Sequence, residues 1–327
     1  MKRIVSSSES CAVSVSLLLI SYQQKKYIEE ALQSTLSQDY SGLQVVVSDD
    51  ASTDGTWEII QKIAASYKGQ HQVIIRRNES NRGMAANFNE GLKCCSGELI
   101  VVQAGDDISE SYRVSSLVKL WVNNRKEPDM LYSNVTWINE DGSLIKVDQK
   151  NPVIPSVDEI KRGSFFIAGG MAAAYSRRLF SKFGYLSEVV RTEDYVLTFR
   201  AIISGGLAFE PAALVKYRQH PQSEMAKRQN LSYDYQITRM YSAAKVAEAE
   251  DRFRSWKISQ HNGCLYKMKL RMALFSVRIH HQSLTGTFWQ RIGCAFLALF
   301  SLRLKFFFSI LKRDVTRMLK GENKSPE

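Results

Sequence analysis

Two pairs of adjacent carboxylates are the residues of this chain best placed to do chemistry. Asp49-Asp50 falls in Val45-Val-Val-Ser-Asp-Asp-Ala-Ser-Thr-Asp-Gly-Thr56, and Asp106-Asp107 ends Val101-Val-Gln-Ala-Gly-Asp-Asp107. Each pair closes an apolar, β-branched run of the kind that forms a buried parallel strand. Carboxylates at the carboxyl ends of such strands fall in the crevice where open α/β sheets bind ligands. Two neighbouring acids repel each other, and a divalent cation removes that repulsion. The expected chemistry is a site for a metal and a phosphate-bearing ligand.

The elements that must position these acids can be read from periodicity. Val13–Ile20 is expected as a first strand and Lys26–Gln38 as a helix with Ile28, Ala31, Leu32 and Leu36 on one face. Leu43–Ser48 follows as a strand. A helix over Thr53–Tyr67 comes next, with Thr53 and Asp54 as capping residues. Gln72–Arg76 is the third strand. The loop Asn78–Gly83 leads into a helix through Leu92, and Glu98–Gln103 is the fourth strand. This β-α alternation implies a mostly parallel, doubly wound sheet with right-handed crossovers.

Beyond Asp107 the pattern changes. Tyr112–Asn123 is expected as helix, Met130–Ile138 as strand, and Glu140-Asp-Gly-Ser143 as a hairpin turn. Lys146–Ile154 reads as loop or edge strand closed by Pro152 and Pro155. A strand over Ala172–Ser176, a helix around Asp194–Ile203 and a strand over Ala213–Arg218 complete this half.

The chain has 327 residues, enough for one large domain or two smaller ones. Five cysteines, an odd number with no C-x-x-C spacing, argue against a disulfide or zinc framework and for a reducing compartment. Lys2 and Arg3 precede a nine-residue apolar stretch, Ala12–Ile20, that serines interrupt. It reads as a first buried strand rather than a signal peptide.

The net charge of +11 is concentrated at one end: residues 1–224 carry −1 and residues 225–327 carry +12. The basic third reads as helix throughout, with Leu265, Met268, Met272, Phe275 and Ile279 on one stripe. Ile292–Leu311 is apolar but holds Arg303 and Lys305, so its uninterrupted run is shorter than the ~20 residues a spanning helix needs. An in-plane helix at an anionic membrane surface, packing into a homo-oligomer, or a solvated basic face on ordinary core helices is expected there. No nucleic-acid module accompanies the basic residues.

Taken in series, several motifs resemble family 2 glycosyltransferases, inverting enzymes of the GT-A fold. They are Ser16-Leu-Leu-Leu-Ile-Ser-Tyr22, Ser34-Thr-Leu-Ser-Gln38, Asp49–Thr56, Asn81-Arg-Gly83, Gly105-Asp-Asp107, Glu193-Asp194 and Tyr217-Arg-Gln-His220. The resemblance covers roughly residues 12–224. It implies a GT-A domain, Rossmann-like with a mostly parallel central sheet, followed by a helical, basic C-terminal extension. Residues 1–110 would form its nucleotide-binding half, 111–224 its acceptor-binding half, and 225–327 the contact region.

The same resemblance implies roles for individual residues. Asp50 would accept hydrogen bonds from the nucleotide base, with Ser21 and Tyr22 beside it and Tyr22 stacking near the ring. A uracil imide N–H suits a carboxylate, which favours a UDP-sugar. Arg82 would face the diphosphate. Asp107 would bind Mn²⁺ or Mg²⁺ directly, with Asp106 toward the ribose or a metal-bound water and His220 completing the shell. The family commonly has a further acid two positions before Asp106, where this chain has Ala104.

Asp194 would be the catalytic base, with Glu193 beside it in the substrate site, and Gly169 and Gly170 would let the backbone approach sugar or acceptor. The expected partners are a nucleotide-sugar donor and a glycan or lipid-linked glycan acceptor. The expected location is cytoplasmic or peripheral on the inner face of the cytoplasmic membrane.

Other readings of the residues stay open at this point. Asp50 could belong to a turn that only caps the next helix, and Glu193 and Asp194 are also suited to a helix dipole. A nucleotidyltransferase would share the α/β plan, but it should carry a glycine-rich phosphate loop where this chain has Ser21-Tyr-Gln-Gln-Lys-Lys26. A non-catalytic nucleotide- or membrane-binding protein of the same fold is the second rival. A processive synthase is disfavoured, because the Gln-x-x-Arg-Trp motif and membrane spans are missing.

Overall fold

A computed structural model of the protein describes residues 13–149, 172–188, 190, 193–202, 204–221 and 223. Expectations for Gly169 and Gly170, for the stretch from residue 150 to Ile154, and for the whole of residues 225–327 lie outside the described residues. Two compact units divide the chain: Met1–Glu188 with Leu197–His220, and Val189–Val196 with Pro221–Glu327.

The first unit is built on one mixed sheet. Its first strands are β1 (Val15–Ser21), β2 (Gln44–Asp49), β3 (Gln72–Arg77) and β4 (Leu99–Ala104), in the order β3-β2-β1-β4 and all parallel. Every residue of β2 is buried, as a strand covered on both faces requires. Helices α1 (Ile28–Leu36), α2 (Thr56–Ser66) and α3 (Met84–Cys94) make the crossovers. Ile28, Ala31 and Leu32 of α1 lie in the same core as Leu17, Leu19, Val45, Val47 and Val101.

The second half extends the sheet. After the two-residue strand β5 (Ile108–Ser109) come α4 (Arg113–Asn123), β6 (Met130–Ile138), β7 (Leu144–Val147), β8 (Ala173–Ser176), α5 (Arg177–Phe183), α6 (Glu193–Ile202) and β9 (Leu207–Arg218). The full order is β3-β2-β1-β4-β8-β6-β9-β5, with β7 on β6. β8 runs antiparallel to both β4 and β6, so β6 and the parallel β9 point the same way as β1. The carboxyl ends of β1, β2, β4, β6 and β9 therefore share one edge, where both acidic pairs sit.

The first four strands match expectation to within two residues. The second half departs further. β9 starts at Leu207 rather than Ala213, and β5 and α5 were not foreseen. The long β9 is held by parallel pairing with β6 from Met130↔Leu207 to Ile138↔Arg218. Helix α2 begins at Thr56, three residues later than expected. Asp54 still serves its start, accepting from the Thr56 N–H at 3.0 Å.

Candidate active site

The Asp49-Asp50 turn is closed by its own donors. Asp49 Oδ1 accepts from the Ser21 hydroxyl (3.1 Å) and the Ser52 hydroxyl (2.6 Å), and Oδ2 accepts from the Ser52 N–H (2.9 Å). Asp50 is 2% exposed. Its Oδ1 accepts from Asn78 Nδ2 (2.7 Å) and the Arg82 N–H (3.0 Å), and its Oδ2 accepts from the Gly83 N–H (2.8 Å). Gly83 reaches that position at φ +85°, which a side chain resists.

Below this carboxylate, the Arg76 guanidinium donates to Ser48 Oγ (2.6 Å) and Asn78 Oδ1 (2.6 Å). Asn87 donates to the Ser48 carbonyl at 2.9 Å. The flanking loops are zipped together as well. The Gln23 amide pairs both ways with Thr53, and the Gln24 N–H donates to Thr56 Oγ1 (2.8 Å). Tyr22 stands 42% exposed beside this turn.

The Asp106-Asp107 turn is different. Asp107 is fully buried, and its Oδ1 accepts from the Arg218 N–H at 2.9 Å. Its Oδ2 is buried with no hydrogen-bond partner among the described residues. Burial first, and then the Asp106 charge, push its carboxyl well above the usual range. Asp106 Oδ2 meets His220 Nε2 at 3.0 Å, while His220 Nδ1 is buried without a partner among the described residues. Arg113, wholly buried at the head of α4, donates to Ser109 Oγ (2.9 Å) and to the Val102 carbonyl (2.8 Å). Burial lowers its guanidinium to about 9, and the nearby Asp107 charge opposes that shift.

Among the described residues no group of three or more His, Cys, Asp or Glu is arranged to hold a metal ion. Asp106 and Asp107 supply carboxylates, and His220 Nε2 is engaged with Asp106, which leaves Asp107 Oδ2 as the carboxylate oxygen without a partner among the described residues. That set fits a cation that takes its remaining ligands from diphosphate and water, as Mg²⁺ and Mn²⁺ do, rather than an all-protein cage.

Of the sequence-derived site residues, Ser21 and Asp50 meet at the first turn, and Asp106, Asp107 and His220 at the second. Arg82 gives its backbone N–H to Asp50, but its exposed guanidinium pairs with Glu90 (3.3 Å) and Glu188 (2.6 Å). Glu193 and Asp194 are half-buried and open helix α6 as its first-turn acids. Gly170 lies outside the described residues.

Sequence reasoning missed Asn78, Arg113, Arg218 and Tyr27. Arg218 alone carried a signal, since it lies inside the Tyr217–His220 motif. The Tyr27 ring packs on the His220 ring with centroids 4.5 Å apart, and its hydroxyl donates to Glu140 at 2.7 Å.

Comparison with known proteins adds the family. An uncharacterized protein of Mycobacterium bovis is 30% identical over 213 residues, which is 63% of this chain and 59% of that protein. An uncharacterized glycosyltransferase of Haemophilus influenzae is 25% identical over 300 residues, 82% of this chain and 89% of the relative. Two solved structures share the GT-A fold at 20% identity or less. TarS of S. aureus in complex with UDP-GlcNAc gives a TM-score of 0.55 at 20% identity, covering 83% of this chain and 80% of that one. A Pyrobaculum calidifontis mannosyltransferase in complex with GDP-Man and Mn²⁺ gives 0.53 at 17%, covering 95% and 88%. The model of Glycosyl transferase family 2 matches residues 16–184, more than half of the chain, and this chain belongs to that family.

Proposed function

We propose that the protein is a non-processive, inverting transferase. It moves one sugar from a UDP-sugar to a hydroxyl of a glycan or lipid-linked glycan. The observation that carries this reading is the bare, buried Oδ2 of Asp107 beside the Asp106–His220 pair, on the same sheet edge as Asp50.

The base preference follows from counting lone pairs. A carboxylate offers about four acceptor positions. Asp50 already accepts three hydrogen bonds, two at Oδ1 and one at Oδ2. One position remains, which suits the single imide N–H of uracil. Guanine would present two adjacent donors and would have to displace Gly83 or Arg82. Tyr22 is exposed enough to stack on the ring.

Asp107, with Asp106 and His220, would hold Mn²⁺ or Mg²⁺, which when bound neutralises charge on the leaving diphosphate. Arg82 would add a cation there. Its present ion pairs are solvent-exposed, so exchanging them for a diphosphate costs little. Asp194 takes the proton from the acceptor hydroxyl as that oxygen attacks the anomeric carbon in line, and the sugar–phosphate bond breaks. The basic residues 225–327 would dock the enzyme on the inner membrane surface where a lipid-linked acceptor lies.

Calorimetric binding of UDP, dTDP and GDP, with and without Mn²⁺, tests the donor site in wild type and Asp107→Ala. UDP binding that needs Mn²⁺ and is lost in the variant is the expected result. No binding of any nucleotide would overturn the reading.

A further inference from the structure

The reach of one residue around the acidic turn goes beyond any role assigned above. Arg218 ends β9 with a side chain 3% exposed, and each of its four nitrogens donates a hydrogen bond. The backbone N–H holds Asp107 Oδ1 at 2.9 Å. Nε donates to the Asp106 carbonyl at 3.0 Å, one guanidinium nitrogen donates to the Glu140 carbonyl at 2.9 Å, and the other donates to the Glu30 carboxylate. The guanidinium also lies over the Tyr27 ring, 5.3 Å from its centroid.

These contacts join four separate segments: the acidic turn, helix α1, the tip of the β6–β7 hairpin and the end of β9. The hairpin tip is gripped a second time. Glu140 Oε1 accepts from Lys26 Nζ (2.6 Å) and from the Tyr27 hydroxyl (2.7 Å). Tyr27 in turn packs on His220.

The geometry has a directional consequence. Because the Arg218 amide occupies Oδ1, the carboxylate of Asp107 cannot swing about its terminal torsion without losing that bond. Oδ2 is thereby the oxygen left to a ligand. Because Nε holds the Asp106 carbonyl, the peptide joining the two acids is fixed as well. A planar, always-charged fork is suited to gripping two carbonyls and a carboxylate at once, and a lysine has no equivalent geometry.

We propose that Arg218 is a positioning residue of the donor site: its side chain, through Nε on the Asp106 carbonyl, holds the acidic turn where the Arg218 backbone N–H meets Asp107 Oδ1, and it couples the β6–β7 hairpin to that turn. The inference rests on the reading that Asp107 shares a cation with a bound diphosphate.

The test uses the full chain with Arg218→Lys and the milder Glu30→Gln, which trims one contact at a residue 60% exposed. UDP is titrated calorimetrically at a series of Mn²⁺ concentrations. The Mn²⁺ concentration for half-maximal binding should rise about tenfold in Arg218→Lys and two- to threefold in Glu30→Gln. UDP affinity at saturating Mn²⁺ should stay within about twofold of wild type in both.

A residue that merely stabilises the fold would lower the melting temperature and leave the Mn²⁺ midpoint unmoved in the folded protein. That result would overturn the proposal. Amide hydrogen exchange in metal-free protein is the second arm. Residues 105–109 and 139–143 should speed up together in both variants, and acceleration of one segment without the other also overturns the coupling. Should wild type bind UDP without any Mn²⁺ effect, the metal reading of Asp107 falls, and the exchange arm decides the coupling alone.

Discussion

The two acidic turns occupy the same sheet edge and have the same Asp-Asp sequence, yet they end in opposite states. At Asp49-Asp50 every carboxylate oxygen accepts at least one hydrogen bond from the chain. At Asp106-Asp107 one oxygen is buried and has no donor among the described residues. A buried polar group without a partner costs free energy, so the second turn carries a penalty that the first does not. The first turn has each of its carboxylate oxygens served by the chain itself, while the proposed reading has the second completed by a ligand.

Opposite effects on stability are the sharpest way to break this contrast. Asp50→Ala strands the Gly83 and Arg82 N–H groups and the Asn78 amide, so chemical denaturation should show a loss of about 3 kcal/mol along with loss of UDP binding. Asp107→Asn keeps an acceptor for the Arg218 N–H and removes a carboxyl whose ionised form is disfavoured by burial and by the Asp106 charge. Thermal melts in a chelator should show a gain on the order of 1 kcal/mol. The same substitution should weaken Mn²⁺-dependent UDP binding about a hundredfold, or about 2.7 kcal/mol. A destabilised Asp107→Asn would erase the distinction between the turns.

Smaller effects refine it. Asp54 accepts from the Thr56 N–H and hydroxyl and from the Lys25 N–H. Burial raises its carboxyl, but these hydrogen bonds outweigh burial and hold it below its ordinary value. A depressed carboxyl stabilises the fold above its unfolded pKa of about 3.9 and loses that contribution as pH falls through the folded value. Asp54→Ala should therefore cost about 1 kcal/mol at neutral pH, with the difference shrinking as pH falls below the unfolded value of about 3.9. Arg82→Ala should change stability by less than about 0.5 kcal/mol, since both ion pairs are exposed. A several-fold loss of UDP affinity without that stability change would place its guanidinium on the diphosphate.

The first turn was legible because its cause is local. Buried parallel strands are apolar along their whole length, so Val45-Val-Val and Leu99-Ile-Val-Val announce themselves, and the acids that end them follow. Arg113 was not legible. A polar residue at the first position of a helix looks solvated, and only the sheet around it makes it a large, fully buried side chain. β5 has two residues, and its pairing with Val215 and Lys216 is made across about a hundred residues of chain. Asn78 reads as an ordinary loop asparagine until the turn beside it is folded. Periodicity reports which face an element buries, while these residues depend on which distant segment arrives opposite them.

The bond from the Arg218 N–H to Asp107 closes a separation of 111 residues. Closing long loops is what slows folding, and a chain emerging from the ribosome forms its early, near-neighbour pairings first. Strands β1 to β4 lie within residues 15–104 and can assemble before β9 exists. Asp107 Oδ1 is thus held by a contact that can form only after β9 has been made. A chain that has not yet made β9 therefore carries strands β1 to β4 with an acidic turn that still lacks its Arg218 contacts.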